Sequence, residues 1–290
     1  MSGASSPRPR IAVCAFGDAR VLPYTFASIE ENILQPARVA GETRVFCHLH
    51  GRTWPESRGA AAREPIDRQA IELIAPDQVE VDEAFSPEVL GTAAILHAGG
   101  NAPGDDPALD ELAHSLVSIR RTWGMSLAVQ PNITVFVRLD QAYPDTIAGV
   151  LRLAGLRHGV FVPDWQDGCG RNDRFAICAG RLAARAWGMR VETAPGHAAR
   201  ADRVTPEGLL DDALTAAGTP VHRMALRASR VSAEGEVGRE EFRPDRALAR
   251  RQRRKALKAA IRTLCTGRSR APEVGADAPG DRAAVGTAKG

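Results

Sequence analysis

Two polar segments, each placed after an apolar run, contain the residue types that bind metal ions and phosphates. The run ITVFV is followed by Arg138 and Asp140, and the run at Val160–Val162 leads into a loop that contains Asn172–Arg174. A fixed carboxylate can hold a divalent cation, and guanidinium groups bind phosphate oxygens. Because open α/β sheets collect such groups in a crevice at the carboxyl ends of their strands, the two segments predict one shared ligand site.

The carboxylate and the loop each have a second interpretation. Asp140 is either a turn or helix-capping residue, or a ligand of a dication that bridges two phosphates. Arg138 lies two residues earlier and so points to the same side of a strand, which also permits an Arg138–Asp140 pair with a structural role. The loop around Asp173 is either a solvated connection or a platform for a site. The apolar run that resumes at Phe175 anchors this loop close to the core.

Alternating strands and helices must position these residues. Apolar runs at Ile11–Phe16 and Arg44–Leu49 predict buried strands, and the helix pattern between them, at Leu22–Leu34, is expected to stop at Gln35–Pro36. A strand, a helix and a strand at this spacing predict a βαβ unit and a parallel sheet. The other predicted elements are a helix at Pro65–Ile74, a strand at Gln78–Val81, a helix at Leu109–Val129, strands at Thr134–Arg138 and Val160–Val162, a helix at Thr146–Ala154, a strand or helix within Arg174–Trp187, a helix at Pro206–Ala217 and an ambiguous segment at Arg223–Arg230.

The composition fits an α/β protein of a reducing compartment. The 290 residues are 44% hydrophobic, which is enough for one large domain or two small ones. The five cysteines are scattered and include no C-x-x-C pair, so neither a disulfide framework nor a structural zinc site is expected. The N-terminus is polar, and no apolar run approaches the length of a membrane span. We therefore predict a cytoplasmic protein.

The positive charge is concentrated near the C-terminus. The net charge is +3, but Lys and Arg cluster between Arg243 and Arg270, where Asp245 is the one acid, so the rest of the chain is mildly acidic. An acidic body disfavours nucleic acid as its partner. The segment Arg246–Leu264 has a basic helical pattern with a narrow apolar strip. It is a solvated extension, a peripheral contact with an anionic inner membrane surface, or a contact with nucleic acid.

Several well-known site motifs do not occur in the sequence. There is no G-x-G-x-x-G and no G-x-x-x-x-G-K-[ST], so neither dinucleotide nor P-loop chemistry is indicated. The histidines form no H-E-x-x-H, and there is no G-x-S-x-G nucleophile turn. Gly17, Asp18 and Arg20 follow the first predicted strand, which on its own is a weak signal of a ligand loop.

Short motifs occur in order over about residues 10–225. The most specific is Gly-x-Asn-Asp-Arg-Phe-Ala at Gly170–Ala176. The others are Gly-x-x-Arg with Gly17 and Arg20, Ser-Ile-x-x-Asn-Ile-x-x-Pro from Ser28 to Pro36, Ser-x-x-Ser-Ile-Arg from Ser115 to Arg120, Arg-x-Asp with Arg138 and Asp140, and Glu207 with Leu209, Leu210 and Leu214, followed by Gly218 and Val221. In this combination the chain resembles a bacterial group of predicted glycosyltransferase-like proteins of GT-A type.

The resemblance implies a fold, a reaction and a set of site residues. It implies a single GT-A-like α/β/α sandwich, which we place at residues 10–240, with a disordered N-terminus at 1–9, a basic tail at 241–266 and a disordered C-terminus at 267–290. The implied reaction moves a sugar from a nucleotide-sugar donor to a carbohydrate or lipid-linked acceptor, with Mn²⁺ or Mg²⁺ held on the diphosphate by Asp140. Asp173 is expected to orient the donor sugar or to act as the base. The residues expected to bind the donor are Gly17, Arg20, Ser118, Arg138, Asn172 and Arg174.

The sequence departs from the GT-A pattern at the expected metal site. Many GT-A enzymes carry Asp-x-Asp, whereas this chain has Arg-Leu-Asp-Gln and offers one carboxylate, Asp140, at that position. The departure motivates an alternative function, a non-catalytic module that binds a nucleotide or a carbohydrate on the same fold.

Overall fold

A seven-stranded sheet forms the centre of the computed structural model, which describes residues 8–50, 68–82, 86–99, 106–167 and 170–243. Its strands are β1 (Arg10–Gly17), β2 (Glu42–His50), β3 (Gln78–Asp82), β4 (Ile133–Arg138), β6 (Gly159–Pro163), β7 (Ala176–Ala179) and β8 (Val221–Met224). A separate two-stranded sheet pairs β5 (Gln141–Ala142) with β9 (Ser229–Arg230). The order in the large sheet is β3-β2-β1-β4-β7-β6-β8, in which β7 runs antiparallel to both of its neighbours and the other pairs are parallel.

Helices cover both faces of the sheet because strand residues alternate between two cores. In β1, Ile11 and Val13 belong to one core, whereas Cys14 and Phe16 belong to the other. The first core includes residues of α1 (Leu22–Ile29), α2 (Gln35–Ala40), α3 (Arg68–Glu72) and α6 (Ala148–Ala154), and a small separate core joins α4 (Pro87–Ala98), the first half of α5 (Pro107–Ser126) and α8 (Ala194–Ala198). The second core includes residues of α5, α7 (Arg181–Gly188) and α9 (Pro206–Ala216). The architecture is a mostly parallel sheet flanked by helices, which is compatible with a Rossmann-like α/β fold.

The described residues belong to one of the two units into which the chain divides, Met1–Asp245. The other unit, Arg246–Gly290, lies outside the described residues, and so do the predicted basic helix and the predicted disordered C-terminus. Among the described helices, none combines the length and the hydrophobicity needed to cross a membrane.

The parallel pairing predicted from the first strand-helix-strand pattern is confirmed. β1 pairs in parallel with β2 over the whole length of β1, and β4 pairs with β1 on its other side. The segment Arg174–Trp187, for which strand and helix were both open, contains β7 and then most of α7. The ambiguous segment Arg223–Arg230 contains the end of β8 and all of β9.

The helix that follows β1 does not stop at Pro36, where the sequence predicted its end. It continues to Ala40, and a π-helical segment at Glu30–Leu34 precedes the proline. A proline inside a helix has no N–H to donate and pushes away the carbonyl four residues earlier, which here belongs to Asn32. That carbonyl accepts a hydrogen bond from the Ile147 N–H at 3.0 Å. The proline therefore redirects one carbonyl to the segment before α6 instead of ending the helix.

Candidate functional site

A cleft of about 940 Å³ opens where the order of the strands reverses, at the carboxyl ends of β1 and β4. From β1 the chain adds β2 and β3 on one side of the sheet and then returns to add β4 on the other. Open α/β sheets bind their ligands at such a switch point. The volume also falls within the range of about 300–1,000 Å³ that is usual for small-molecule and cofactor sites. Topology and size therefore both indicate a ligand site here.

The cleft brings together six of the eight residues that the sequence predicted for the site, namely Gly17, Arg20, Arg138, Asp140, Asp173 and Arg174. The start of α5, the start of α9 and the segment 230–239 complete its lining. Ser118 and Asn172, the two remaining predicted residues, do not line the cleft. The convergence of two distant segments is observed, whereas the chemical roles of their residues remain predictions.

Gly17 ends β1 in a backbone conformation that only glycine adopts without strain. Its φ is +112°, in the left-handed region where a Cβ meets the backbone. A Cβ built on Gly17 would lie 3.8 Å from Oδ1 of Asp140, and the adjacent Phe16 carbonyl accepts a hydrogen bond from the Leu139 N–H at 2.9 Å. The glycine thus turns the chain at the end of β1, beside the carboxylate that follows β4.

Arg138 and Asp140 form a two-point ion pair at the end of β4. Nε of Arg138 donates to Oδ1 of Asp140 at 2.8 Å, and Nη2 donates to Oδ2 at 2.7 Å. The Tyr143 hydroxyl accepts from the Arg138 N–H at 3.0 Å and donates to the Arg138 carbonyl at 3.1 Å, which fixes the backbone of the pair. Both ionic side chains are 17% exposed. The pairing that strand periodicity permitted is therefore formed.

The pair controls the charge of both groups. Burial raises the pKa of the Asp140 carboxyl. The charge of Arg138 and its hydrogen bonds lower this pKa by a larger amount, so that it lies below its ordinary value of 3.8. Burial lowers the pKa of Arg138, but Asp140 overcomes this and raises it. Asp140 is consequently a carboxylate whose two oxygens both accept hydrogen bonds from one guanidinium.

Asn172 organises the loop before β7 from inside the protein. Its Nδ2 donates to the Trp165 carbonyl at 2.6 Å, and its Oδ1 accepts from the Arg174 N–H at 3.0 Å. The residue is 1% exposed, so no donor atom of its side chain faces the cleft. Its geometry favours a structural role, in which Asn172 holds the loop in place. It does not favour the predicted role, direct contact with the donor.

Asp173 and Arg174, the next two residues, do face the cleft, and each has an ionic partner. Oδ2 of Asp173 accepts from Nη2 of Arg190 at 3.2 Å. Arg174 donates to Oε1 of Glu240 at 3.1 Å and to Oε1 of Gln166 at 3.1 Å. Both side chains are therefore held in place, and a ligand would meet them in defined positions.

Arg190 supports Asp173 from a fully buried position. Its side chain is 2% exposed, and its guanidinium carbon lies 4.6 Å from the centre of the Trp187 ring. Burial lowers the pKa of Arg190, and Asp173 acts in the opposite direction. Among the described residues, Nε and Nη1 of Arg190 have no hydrogen-bond partner. A buried arginine of this kind is costly to maintain, and in the described part of the chain its ionic partner is the cleft carboxylate Asp173.

Glu207, at the start of α9, is a second carboxyl group on the same side of the cleft. It is half-buried, and among the described residues it forms no ion pair. Burial and then the negative charge of Asp173 raise the pKa of Glu207. A hydrogen bond from its own backbone N–H, and then the charges of Arg174 and Arg190, offset this only in part. A cleft carboxyl group with a raised pKa is suited to proton transfer.

Arg20 and Ser118 occupy different environments. Arg20 lines the cleft and pairs with Asp18, whose carboxylate also caps the short 3₁₀ turn after β1. Ser118 is 1% exposed on α5, and its hydroxyl lies 2.9 Å from Nδ1 of His48. Burial lowers the pKa of His48 to about 4. Ser118 therefore belongs to a buried polar contact between α5 and β2, and the cleft does not include its side chain.

The predicted dication does not fit Asp140 as the side chains are arranged. Both carboxylate oxygens accept from Arg138, so a cation would have to displace that guanidinium first. In the part of the chain that the structure describes, no group of three or more His, Cys, Asp or Glu side chains could hold a metal ion. We therefore derive no step of the chemistry through a metal.

Sequence reasoning did not assign a site role to Glu207 or Arg190. Glu207 stood in the last of the short motifs, and an acid in the first turn of a helix is common for electrostatic reasons alone. Nothing in the sequence around Arg190 distinguishes it from the many other arginines. The signal that reveals both residues is spatial, because each acts together with Asp173, a residue on another part of the chain.

The chain matches no model of a known protein family, and a comparison with curated proteins finds no significant match.

Proposed function

We propose that this protein transfers a sugar from a nucleotide-sugar donor to a carbohydrate or lipid-linked acceptor, on a GT-A-like fold. One observation carries the proposal. Arginines and carboxylates from the two predicted segments line one cleft at the switch point of the sheet, and the cleft is large enough for a nucleotide-sugar.

The charges of the cleft support chemistry on a phosphorylated ligand. Arg20, Arg138 and Arg174 line it, and guanidinium groups suit phosphate oxygens in shape and charge. In sugar transfer the departing nucleotide gains negative charge as its bond to the sugar breaks. Arg20 and Arg138, next to the ends of β1 and β4, are proposed to stabilise that charge. Nη1 of Arg138 is not used by Asp140 and is the nitrogen proposed to contact a phosphate.

The carboxylates of the cleft are proposed to act on the sugar and the acceptor. Asp173, held by Arg190, is suited to orient the hydroxyl groups of the donor sugar or to serve as base. Gly17 has no side chain to obstruct the approach of a ligand to the end of β1. Asn172 is proposed to act indirectly, by fixing the loop that carries Asp173 and Arg174.

Mn²⁺ or Mg²⁺ is proposed as cofactor on the condition that Arg138 moves away from Asp140. A dication at Asp140 requires that Arg138 leave the carboxylate and find another anion. The same residues act on the substrate without a metal if Arg138 keeps its present position, because a guanidinium can itself neutralise a phosphate. The two possibilities differ in whether a nucleotide binds in the presence of a chelator.

The alternative, a non-catalytic module for nucleotides or carbohydrates, is favoured by a specific observation. Asp140 and Asp173, the carboxylates first expected to perform chemistry, are both ion-paired, to Arg138 and Arg190. A binding module would hold a nucleotide-sugar in the cleft and leave it intact. Slow release of free sugar from a bound nucleotide-sugar would exclude this alternative.

A cytoplasmic location, with the basic segment Arg246–Leu264 in contact with an anionic membrane surface, is part of the same proposal. Such a contact would keep the protein at the surface where lipid-linked acceptors are found. Each basic side chain near anionic headgroups contributes about 1 kcal/mol, and salt screens that attraction. The full-length protein should therefore sediment with anionic vesicles at low salt and be released at high salt. Unchanged binding after truncation at Phe242 would rule out the tail as the contact.

Thermal denaturation in the presence of UDP-, GDP-, CMP- and dTDP-sugars, with and without Mn²⁺, tests the proposed function. We expect sugars of one base to raise the melting temperature by several degrees, since a ligand at about 100 times its Kd adds about 2.7 kcal/mol. Asp140→Asn and Asp173→Asn are expected to abolish transfer while the proteins still unfold cooperatively. No stabilisation by any of the four, or normal turnover by both variants, contradicts the assignment.

A further inference from the structure

The loop of Asp173 and the first turn of α9 are joined backbone to backbone. The Arg171 N–H donates to the Glu207 carbonyl at 3.3 Å. At Gly170 the contact is so close that a Cβ would lie 2.0 Å from the Glu207 carbonyl oxygen and 2.8 Å from the Gly208 nitrogen. A side chain cannot be accommodated there, so glycine is required at 170. This contact places the carboxyl groups of Asp173 and Glu207 on one wall of the cleft.

The two carboxyl groups on this wall differ in their partners. Asp173 accepts a hydrogen bond from the buried Arg190 at 3.2 Å. Glu207 forms no ion pair among the described residues, because Arg190 is directed at Asp173 and Arg174 is directed at Glu240. The start of α9 is stabilised separately, since the Thr205 hydroxyl accepts from the Gly208 N–H at 3.1 Å. The carboxyl group of Glu207 accepts a hydrogen bond from its own backbone N–H and has no ionic partner among the described residues.

The charged groups that act on Glu207 come from the loop before β7 and from Arg190. Burial and then Asp173 raise the pKa of Glu207, while a hydrogen bond from its own backbone N–H, and then Arg174 and Arg190, lower it by less. The result is a carboxyl group that takes up a proton more readily than an ordinary glutamate. The carboxylate of Asp173, by contrast, is held by the hydrogen bond from Arg190.

We propose that Glu207 is the catalytic base of the transfer reaction and that Asp173, fixed by Arg190, positions the donor sugar. The inference rests on the proposed function and divides between two residues the roles that were expected of Asp173 alone. Its geometric basis is the cleft wall on which Asp173 is ion-paired and Glu207, among the described residues, is not.

In the proposed step the acceptor hydroxyl attacks the anomeric carbon of the donor sugar. A bond forms between the acceptor oxygen and that carbon, and the hydroxyl proton passes to the carboxylate of Glu207. The bond between the anomeric carbon and the phosphate oxygen breaks, and the nucleotide leaves with the electron pair. A single displacement of this kind inverts the configuration at the anomeric carbon, so the product stereochemistry is part of the proposal.

The test compares the wild type and Glu207→Gln in the full-length protein, with the nucleotide-sugar selected by thermal denaturation. Each protein is given two nucleophiles in turn. Water must lose a proton to a base as it attacks, whereas azide is already an anion and needs no base. We expect Glu207→Gln to slow release of the nucleotide to water by about 10²–10⁴-fold, the usual contribution of a general base. With azide the variant should release the nucleotide at close to the wild-type rate.

Three further readouts separate a base from a structural residue. The wild-type kcat should rise with pH through one ionisation, and Glu207→Gln should lack that limb. Affinity for the free nucleotide, measured by calorimetry, should be unchanged in Glu207→Gln, whereas Asp173→Asn should bind the intact nucleotide-sugar more weakly in the same measurement. The sugar released by the wild type should have the inverted anomeric configuration in NMR spectra. Glu42→Gln, at the exposed amino end of β2, is the matched control and should behave as the wild type.

The outcomes distinguish this inference from the proposed function. If the wild type releases no nucleotide from any donor, the proposed function fails and the inference falls with it. If the wild type is active while Glu207→Gln keeps its rate with water and its pH profile, only the inference is overturned. Equal impairment of Glu207→Gln with water and azide, or a product of retained configuration, also overturns it.

Discussion

Asp140 and Glu207 lie in the same cleft, at the end of β4 and at the start of α9, and they have opposite electrostatic environments. Burial raises the pKa of both carboxyl groups. At Asp140 the charge of Arg138 and its two hydrogen bonds reverse the effect, and at Glu207 the nearby charge of Asp173 adds to it. An arginine partner thus distinguishes a carboxylate that holds charge from one that can exchange a proton. The predictions below test this difference, in order of decreasing effect.

Asp140→Asn should be the most destabilising change. It removes one member of a largely buried ion pair and leaves the charge of Arg138 without a counter-charge, which costs about 3–5 kcal/mol. Urea denaturation at neutral pH measures the loss in the free energy of unfolding. The double variant Arg138→Gln/Asp140→Asn should recover part of it, since no unpaired charge then remains. A loss below about 1 kcal/mol would show that the pair contributes little.

Gly170→Ala should disturb the contact between the loop before β7 and the first turn of α9, where Glu207 lies. It should leave the end of β4, where Asp140 lies, unchanged. The new Cβ would collide with the Glu207 backbone, so the loop must move away from α9, at a cost of about 1–3 kcal/mol. Gly91→Ala is the control, because Gly91 is exposed on α4 with no atom within 4 Å of a new Cβ. It should gain about 0.5–1 kcal/mol from helix propensity. Equal effects of the two changes would refute the proposed contact between the loop and α9.

Glu207→Gln should stabilise the protein slightly. It removes a carboxyl group that burial and Asp173 make unfavourable when ionised, and we expect a gain of up to about 1 kcal/mol at neutral pH. That gain corresponds to an increase in melting temperature of about 2–4 °C for a domain of this size. The same isosteric change, acid to amide, then has opposite signs at Asp140 and Glu207. A loss of stability on Glu207→Gln would mean that this side chain has a stabilising partner.

The pH dependence of these two stability effects should also be opposite in sign. The folded pKa of Asp140 is below its ordinary value of 3.8, so its stabilising contribution is complete above that pH and is lost as the pH falls further. The folded pKa of Glu207 is above its ordinary value of 4.5, so its destabilising effect is complete above the folded pKa and vanishes as the pH falls to 4.5. The difference in melting temperature between Glu207→Gln and the wild type should therefore decrease on acidification. A difference that is constant from pH 8 to pH 4 would contradict this.

Mn²⁺ alone should have the smallest effect. Because both oxygens of Asp140 are engaged by Arg138, we expect the metal without nucleotide to change the melting temperature by less than about 1 °C. Stabilisation of the wild type by several degrees that is absent in Asp140→Asn would show that the cation displaces Arg138.

The strands and the position of the cleft could be predicted from the sequence because both depend on local patterns. Short apolar runs gave β1, β2, β4 and β6, and a period of two placed Arg138 and Asp140 on one side of β4. That β4 lies next to β1, which brings Asp140 close to Gly17, was not predicted, because the order of strands is not a local property. The same reasoning missed the π-helical segment before Pro36, since its stability depends on a hydrogen bond from Ile147, far along the chain.

The parts of the site that could not be predicted depend on contacts between distant segments. Asn172 was assigned to donor binding because its neighbours were, and only the position of the Trp165 carbonyl shows that its side chain turns inward. The side chain of Ser118 is directed at His48 because α5 packs against β2, and this packing is a tertiary contact that local sequence patterns do not reveal. The proposed role of Glu207 depends on its closeness to Asp173 and on Arg174 and Arg190, which pair with other acids. The spacing of residues in the sequence does not show these contacts.

The most direct test of the central claim is nucleotide release by the purified full-length protein. UDP-, GDP-, CMP- and dTDP-sugars are each incubated with the wild type, with Asp173→Asn and with the control Glu42→Gln, and free nucleotide and free sugar are followed by chromatography. The account predicts that the wild type and Glu42→Gln both release nucleotide and sugar, in equal molar amounts, from donors of one base. It predicts that Asp173→Asn releases neither. Release from none of the donors, together with no thermal stabilisation by any of them, would contradict it.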